Sequence, residues 1–562
     1  MRVLAWKDST QFGLSPLTST LGLVHAVNAT WSGRRGQAIW DGTGRETFHV
    51  HHQKAAFIRT ASLDVLAFLG GIDITAGRWD TPAHRDPDPE RPSSTWHDVQ
   101  CKIEGKAAWD VYRNIMQRWN AADALPEIVG ADPDRTPLPA PDDPAWGPTP
   151  VVDDPLVTKA DGPHAVQITR TLAPHMEAYG GSAPPLDIVD PATGDLSSRE
   201  AWRAALEAAD RFLYIEDQYF WIRPHAEALN GWLRAKPDRF LFLVLPRRFA
   251  DKEVADQVHY FLRRRALNLL LYGAEEVPDG TDPASLPGNV ESRVAMFHLV
   301  SRENLAPIYV HSKLVLADDT WFTIGSANLT RRSWTLDSEI NAACVDTRIV
   351  RGGHVSARRL RVDLLAEHLQ LRPVETPLVE DPLDAFRLVR EVLDGRRPWM
   401  RTHLLKVDLA FTHYGPFPPD FDPILGDAIN GLADPDGTVR NIEAGLMDAA
   451  GAFAALSDAS TGFRYGGLGR LRFSFDVSGL GRDPADVVVR VEMREAGAAP
   501  SQQVAMGPWP ATSAVDAGVL RIGTDYLVRA TALDAGSLAP LGSTPEQTVF
   551  TPDFVTTVDL TF

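Results

Sequence analysis

Two short runs carry the residue types that chemistry on a phosphate needs: His52-Gln53-Lys54 and His311-Ser312-Lys313. In each, an imidazole and an ammonium stand two residues apart, and on an extended strand such side chains share a face. Two pairs brought together would set two imidazoles and two ammoniums around one pocket. The ammoniums would hold phosphate oxygens as point charges. One imidazole could attack phosphorus while the other protonates the leaving oxygen. A single His-x-Lys is commonplace and carries no such meaning. What distinguishes these two is the shared succession after them: a β-like run, a small-residue loop, then an acid-bearing strand. The loops are Gly70-Gly71-Ile72-Asp73 and Gly325-Ser326-Ala327-Asn328. The acids are Asp98, in a strand over residues 96–103, and Glu339, in a strand over 337–344. Asp98 and Glu339 would each orient a ring through its second nitrogen, as a carboxylate does in a serine-protease triad. The Ser326 hydroxyl and Asn328 amide would donate to phosphoryl oxygens. His49, His51 and His52 cluster, but no Cys or further His stands at zinc-ligand spacing, so no metal site is read. Glu216-Asp217, at the end of a strand, is readable as a surface pair.

These residues need a scaffold of repeated strands and helices. In the first repeat, Trp109, Tyr112, Met116 and Trp119 fall on one helical face. Residues 121–164 hold ten prolines and many acids, which reads as a long surface connection. A strand at 166–169 opens the second repeat, and Ser197 with Glu200 reads as a capping box starting a helix. Strands at 212–216 and 240–245 and a helix near 254–272 follow. This alternation predicts an α/β fold with mostly parallel sheets. The expected layout is a first repeat at 1–120, a linker at 121–164, a second repeat at 165–400, and a β-rich, sandwich-like accessory module at 401–562. The tail shows alternating strands at 471–477, 487–492, 526–532 and 555–562, with Trp509 and Tyr526 expected in its core. By repeat logic the strand at residues 2–5 matches the one at 240–245. One strand–helix–strand unit is then expected to be missing from the front, as in a truncated form.

Composition narrows the function. The chain has 562 residues, which suggests roughly three or four compact units. Its net charge of −18 argues against non-specific nucleic-acid binding, which rests on surplus Lys and Arg. No apolar run approaches the roughly 18 residues of a membrane span. Two cysteines, Cys101 and Cys344, make no disulfide framework. The opening Met1-Arg2-Val3-Leu4-Ala5-Trp6 does not read as a secretory signal, and the sequence assigns no compartment.

At the paired motifs the sequence resembles the phospholipase D superfamily, defined by a doubled H-x-K-x4-D motif. The second copy is complete: His311, Lys313, Asp318, then Gly325, Ser326 and Asn328. The first has His52 and Lys54, but Arg59 stands in the acid's place. Its hairpin is also longer, 16 positions from Lys54 to Gly70 against 12 from Lys313 to Gly325. Further stretches resemble the family's phospholipid-cleaving enzymes: Gly77-Arg78-Trp79-Asp80-Thr81-Pro82 with His84, Trp96-His97-Asp98-Val99, Gln117-Arg118-Trp119-Asn120, and residues 215–221. The resemblance covers roughly residues 1–400. It implies two α/β repeats sharing one site and a phosphohistidine intermediate. His52 would be the nucleophile and His311 the general acid. Lys54, Lys313 and Asn328 would hold phosphate oxygens, and Asp98 and Glu339 would hold the histidines. Asp73 stands where the second repeat has Asn328, but an ionised carboxylate cannot donate, so it needs a different role. Asp318, Gly325 and Gly71 would be structural parts of the motif. This chemistry calls for no metal and no cofactor. The expected reaction is hydrolysis of a phospholipid such as phosphatidylcholine to phosphatidate and free head group, with transfer to alcohols alongside. The expected partner is phospholipid at a membrane or micelle surface, met by a monomer that binds no nucleic acid. Two other readings stay open: a head-group-binding relative without turnover, and a nuclease of the same family.

Overall fold

The computed structural model describes residues 2–6, 37–41, 50–59, 65–91, 94–121, 138–141, 143, 162–173, 194–247, 253–277, 281–302, 304–350, 353–400 and 402–407, then 434, 468–476, 480, 487–495, 502–508, 515–516, 520–521, 525–534, 537, 540–550 and 555–561. The chain divides into two compact units, Met1–Gly415 and Pro416–Phe562.

The strands of the first unit are β1 (Arg2–Trp6), β2 (Gln37–Asp41), β3 (Ala55–Arg59), β4 (Val65–Gly70), β5 (Trp96–His97), β6 (Gln100–Glu104), β7 (His164–Thr171), β8 (Phe212–Glu216), β9 (Phe240–Val244), β10 (Val294–Leu299), β11 (Tyr309–Val310), β12 (Leu314–Ala317), β13 (Trp321–Gly325), β14 (Glu339–Asp346), β15 (Ile349–Val350), β16 (Gly353–His354) and β17 (Leu404–Lys406). Its α-helices are α1 (Lys106–Ala121), α2 (Ser197–Ala208), α3 (Arg223–Ala235), α4 (Glu253–Tyr272), α5 (Arg331–Thr335), α6 (Val355–His368) and α7 (Pro382–Leu393).

One eight-stranded sheet runs in the order β17-β10-β9-β8-β12-β13-β14-β7. Strands β8, β9 and β10 are parallel neighbours, and every other ladder in the sheet is antiparallel. The sheet is therefore mixed rather than mostly parallel. Parallel neighbours need long crossovers, which α3 and α4 supply; β12 and β13 are joined by three residues, and so short a link permits only an antiparallel turn. Strands β8 (FLYIE) and β9 (FLFLV) are buried at every position. Continuous apolar runs of this kind belong to strands covered on both faces.

In the first repeat β3, β4 and β6 form an antiparallel sheet, and β1 pairs with β2 in parallel. Strand β4 alternates, with Val65, Ala67 and Leu69 buried. They pack with Trp109 and Tyr112 of α1 and with Ile340 and Ala342 of β14. One hydrophobic contact between the repeats thus runs through β14, the strand that begins with Glu339. On α1, Trp109, Tyr112 and Trp119 are buried as the helical spacing requires. The capping box is not formed: the Ser197 hydroxyl accepts from Arg170 N at 2.9 Å and donates to Arg170 O, tying α2 to β7 instead. Residues 7–36 and most of 121–164 lie outside the described residues. Among the described residues, no helix is long and apolar enough to cross a membrane.

In Pro416–Phe562 the described elements are all strands. Val487–Glu495 pairs antiparallel with Gln502–Pro508 and with Asp525–Asp534, and Leu468–Asp476 pairs parallel with Val555–Thr561. Trp509 and the side chain of Tyr526 lie outside the described residues.

Candidate active site

Both His-x-Lys runs lie in extended segments leading directly into β3 and β12. Each is held by a short parallel contact with the other repeat: His51 makes a single bridge to Ser338, and β11 pairs with β5 over two residues. His52 N–H donates to Ser338 O at 3.1 Å, and His311 N–H donates to His97 O at 2.8 Å. The residues after Ser338 and His97 are Glu339 and Asp98, so each acid is delivered to the histidine of the opposite repeat. His52 Nδ1 lies 3.0 and 3.1 Å from the two Glu339 carboxylate oxygens. His311 Nδ1 lies 2.8 Å from Asp98 Oδ2. An ionised carboxylate only accepts, so each ring turns Nδ1–H to its acid and keeps Nε2 out of that bond.

Two hydrogen bonds recur in the two small-residue loops. Gly71 N donates to Val99 O at 3.1 Å, as Ser326 N does to Ile340 O at 3.0 Å. Ile72 N donates to Gln100 Oε1 at 3.3 Å, as Ala327 N does to Asn341 Oδ1 at 3.1 Å. Asp73 and Asn328 therefore occupy equivalent places. One difference between the loops matches the different acid lengths. A Cβ on Gly71 would stand 2.0 Å from Asp98 Oδ1, so the shorter acid requires a glycine there. The longer Glu339 leaves room for Ser326, whose hydroxyl donates to Glu339 Oε2. Ser326, expected at the phosphate, thus braces the carboxylate instead. Gly325 is needed because a Cβ would meet the Asn341 side chain at 2.2 Å. Asn328 is 2% exposed, and its Oδ1 has no hydrogen-bond partner among the described residues. Its backbone is fixed by Trp334 Nε1 on its carbonyl and by Leu329 N on Asp217 Oδ2. The unpartnered atom is an acceptor; the amide would donate to a ligand oxygen only with Oδ1 and Nδ2 exchanged.

Lys54 Nζ donates to His52 O at 2.7 Å and lies 3.3 Å from Asp73 Oδ1. Lys313 donates to His311 O and, at 3.0 Å, to Gln218 Oε1. Burial brings Lys313 down to about 8, a fall that Asp98 only partly offsets. Burial and the Lys313 charge lower His311 to about 3, so its ring is neutral in the free protein. Burial would raise Asp98, but the bond to His311 and the nearby charges hold it below its ordinary value. Asp318, away from these groups, accepts from Arg211 N and Phe212 N at 2.9 and 2.8 Å and anchors the β12–β13 turn to the start of β8. Among the described residues the first hairpin has no strand in the place of β8, and Arg59 stands where the acid would be.

Sequence reasoning missed what lies behind the second motif. Glu216 and Asp217 are not a surface pair: they are 0% and 1% exposed. Glu216 Oε2 accepts from Ser312 Oγ at 2.6 Å and from His97 Nε2 at 2.8 Å. Its Oε1 accepts from Tyr214 OH at 2.6 Å and meets His368 Nε2 at 2.9 Å. One carboxylate therefore ties the middle residue of His311-Ser312-Lys313 to the residue before Asp98. Glu367 extends the network, lying 3.0 Å from His97 Nδ1 and 3.2 Å from His84 Nε2. In the first motif the middle residue, Gln53, is held instead by Asn114, Arg118 and the Glu339 carbonyl. The alternation that puts His and Lys on one face puts Ser312 and Gln53 on the other, and this was the available signal.

A family model described as Phospholipase D matches residues 85–228, and one described as Cardiolipin synthase, PLD-like domain, matches residues 282–356. Phospholipase D alpha 4 of Arabidopsis thaliana is 25% identical over 387 residues, 56% of this chain and 48% of the relative. Phospholipase D delta of the same plant is 28% identical over 435 residues, 58% of this chain and 48% of the relative. The chain thus spans about half the length of these relatives. Among solved structures, phosphatidylserine synthase of Haemophilus influenzae Rd KW20 aligns with a TM-score of 0.39 and 11% identity, covering 72% of this chain and 83% of that one.

Proposed function

This chain belongs to the phospholipase D superfamily, and on that premise we propose that it is a phosphodiesterase cleaving a phospholipid such as phosphatidylcholine to phosphatidate and free head group. The observation that carries the reading is the crossed pairing of His52 with Glu339 and His311 with Asp98, each ring two residues from a lysine. His52 Nε2 attacks phosphorus, the bond from phosphorus to the head-group oxygen breaks, and His311 delivers a proton to that oxygen. Water then attacks the phosphohistidine, giving its proton back to His311, and phosphatidate leaves. An acceptor alcohol in place of water yields the transfer product. Lys54, Lys313 and the Asn328 amide hold the non-bridging oxygens. Burial beside Lys313 keeps His311 neutral while the site is empty. The anionic diester opposes that effect, so His311 takes up its proton as substrate arrives.

The test is head-group release from mixed micelles by the purified chain, with samples quenched in denaturing detergent at mildly alkaline pH and examined for phosphohistidine. His52→Ala should abolish both signals. His311→Ala should slow release and leave label on His52. Vesicle binding with no turnover would instead return the head-group-binding reading, and label on His311 would reverse the two roles.

A further inference from the structure

Asp73 has no part in the reaction as written. Its loop place is that of Asn328, yet it cannot donate to a phosphoryl oxygen. Its side chain is 37% exposed, whereas Asn328 is buried. Burial works to raise it, but Lys54, His311, His52 and Arg78 together hold it well below the usual carboxylate range. Those four groups come from both motifs and the loop beside them, so an ionised carboxylate faces the reacting imidazoles. A phosphate anion bound there would be repelled by it unless the substrate brought a positive charge of its own.

The surroundings of Asp73 already hold such a charge. Arg78 Nε lies 3.4 Å from Asp73 Oδ2, and its guanidinium carbon lies 4.0 Å from the centre of the Trp96 ring. The same ring stacks on Tyr309 at 4.7 Å and lies 5.0 Å from His311. A cation thus sits between a carboxylate and an aromatic face that reaches to the reacting ring. A carboxylate with π faces is the environment that recognises a substituted ammonium.

We propose that Asp73 and the Trp96–Tyr309 pair form the subsite for a positively charged head group, a substituted ammonium on the leaving alcohol, and that Arg78 is the exchangeable cation filling it in the free protein. The inference rests on the phosphodiesterase reading. When the diester takes the Lys54 ammonium, Asp73 loses that partner, and the substrate's ammonium replaces it. With a neutral head group only Arg78 remains to compensate Asp73 beside the phosphate. Coulombic attraction over such short distances at a partly buried site supports a preference on the order of tenfold.

The experiment compares kcat/KM for phosphatidylcholine and phosphatidylglycerol in the same detergent micelles. Asp73→Asn should lower the choline-to-glycerol ratio about tenfold, and Arg78→Gln should raise it. Tetramethylammonium chloride should inhibit the unsubstituted protein beyond matched sodium chloride, a measurement that stands even if Asp73→Asn folds poorly. A ratio unchanged within twofold in Asp73→Asn, a fall of the ratio in Arg78→Gln, or inhibition no stronger than sodium chloride overturns the subsite. Hydrolysis of neither lipid by the unsubstituted protein sinks the phosphodiesterase reading itself, and the subsite with it.

Discussion

Asp98→Asn exchanges one carboxylate oxygen for an amide nitrogen, and the surroundings of Asp98 dictate which. Oδ1 accepts the Val99 N–H at 2.9 Å, with Gly71 packed against it. Oδ2 faces His311 Nδ1 at 2.8 Å. An amide nitrogen in the place of Oδ1 would meet the Val99 N–H donor to donor, at a cost of about 1–3 kcal/mol for an unmade buried bond. Oδ2 also accepts from Trp96 Nε1, but at 3.4 Å, so the nitrogen takes the place of Oδ2, where the weaker bond is given up, and donates to His311 Nδ1. The ring proton is driven to Nε2, the reacting atom, and the imidazolium form is opposed as well. In a serine-protease triad the same tautomer error costs about 10⁴ in kcat, so a loss of about 10³–10⁴ is expected here. Glu339→Gln should behave differently. Both Glu339 oxygens lie within reach of His52 Nδ1, and Oε2 also meets the rotatable Ser326 hydroxyl. The hydroxyl can turn to accept from an amide, leaving the amide oxygen for the His52 ring. Only the charge is then lost, about 1–2 kcal/mol, or roughly 5–30-fold. The assay is the initial rate of head-group release at pH 7, with thermal unfolding midpoints matched among the proteins. Retention of more than about a tenth of kcat in Asp98→Asn, or an equal loss in Glu339→Gln, would refute this account of the crossed pairing.

Lys313 titrates near 8, and its ammonium is present below that pH and lost above it, so KM for the phospholipid should rise about tenfold per pH unit beyond 8; a flat KM up to pH 10 contradicts a depressed lysine at the phosphate. Glu216→Leu leaves Ser312, His97, Tyr214 and His368 without their shared acceptor, and urea unfolding should show a loss of about 3–5 kcal/mol. A change under about 1 kcal/mol would mean the network is not needed for folding. Gly71→Ala pushes a methyl group against Asp98 Oδ1; a carboxylate moved by about 1 Å should cost on the order of 100-fold in kcat, with secondary structure by circular dichroism unchanged.

The paired His-x-Lys runs, the loops after them and the two acids were legible in sequence because each is local: residue types at fixed short spacing on one strand or turn. The buried strand β9 was legible for the same reason, since five apolar residues in a row need cover on both faces. The mixed sheet was not, because the repeat pattern shows which strands exist and not which edges they join. The destiny of Ser326 was also hidden: its hydroxyl goes to Glu339, thirteen residues on, and nothing local distinguishes that partner from a phosphate oxygen. Glu216 looked like a surface acid because its neighbours in the chain end a strand. It is buried because Ser312, His97 and His368, each at least 90 residues away, converge on it. Most of all, sequence could set Asp98 and Glu339 near histidines without saying which acid serves which ring. Sequence by itself determined the inventory of reacting groups and the face each one shares. The tertiary structure decided that each acid crosses to the other repeat, because β5 runs parallel to β11 and the His51 segment lies parallel to the residues entering β14, and those contacts carry each carboxylate to its imidazole.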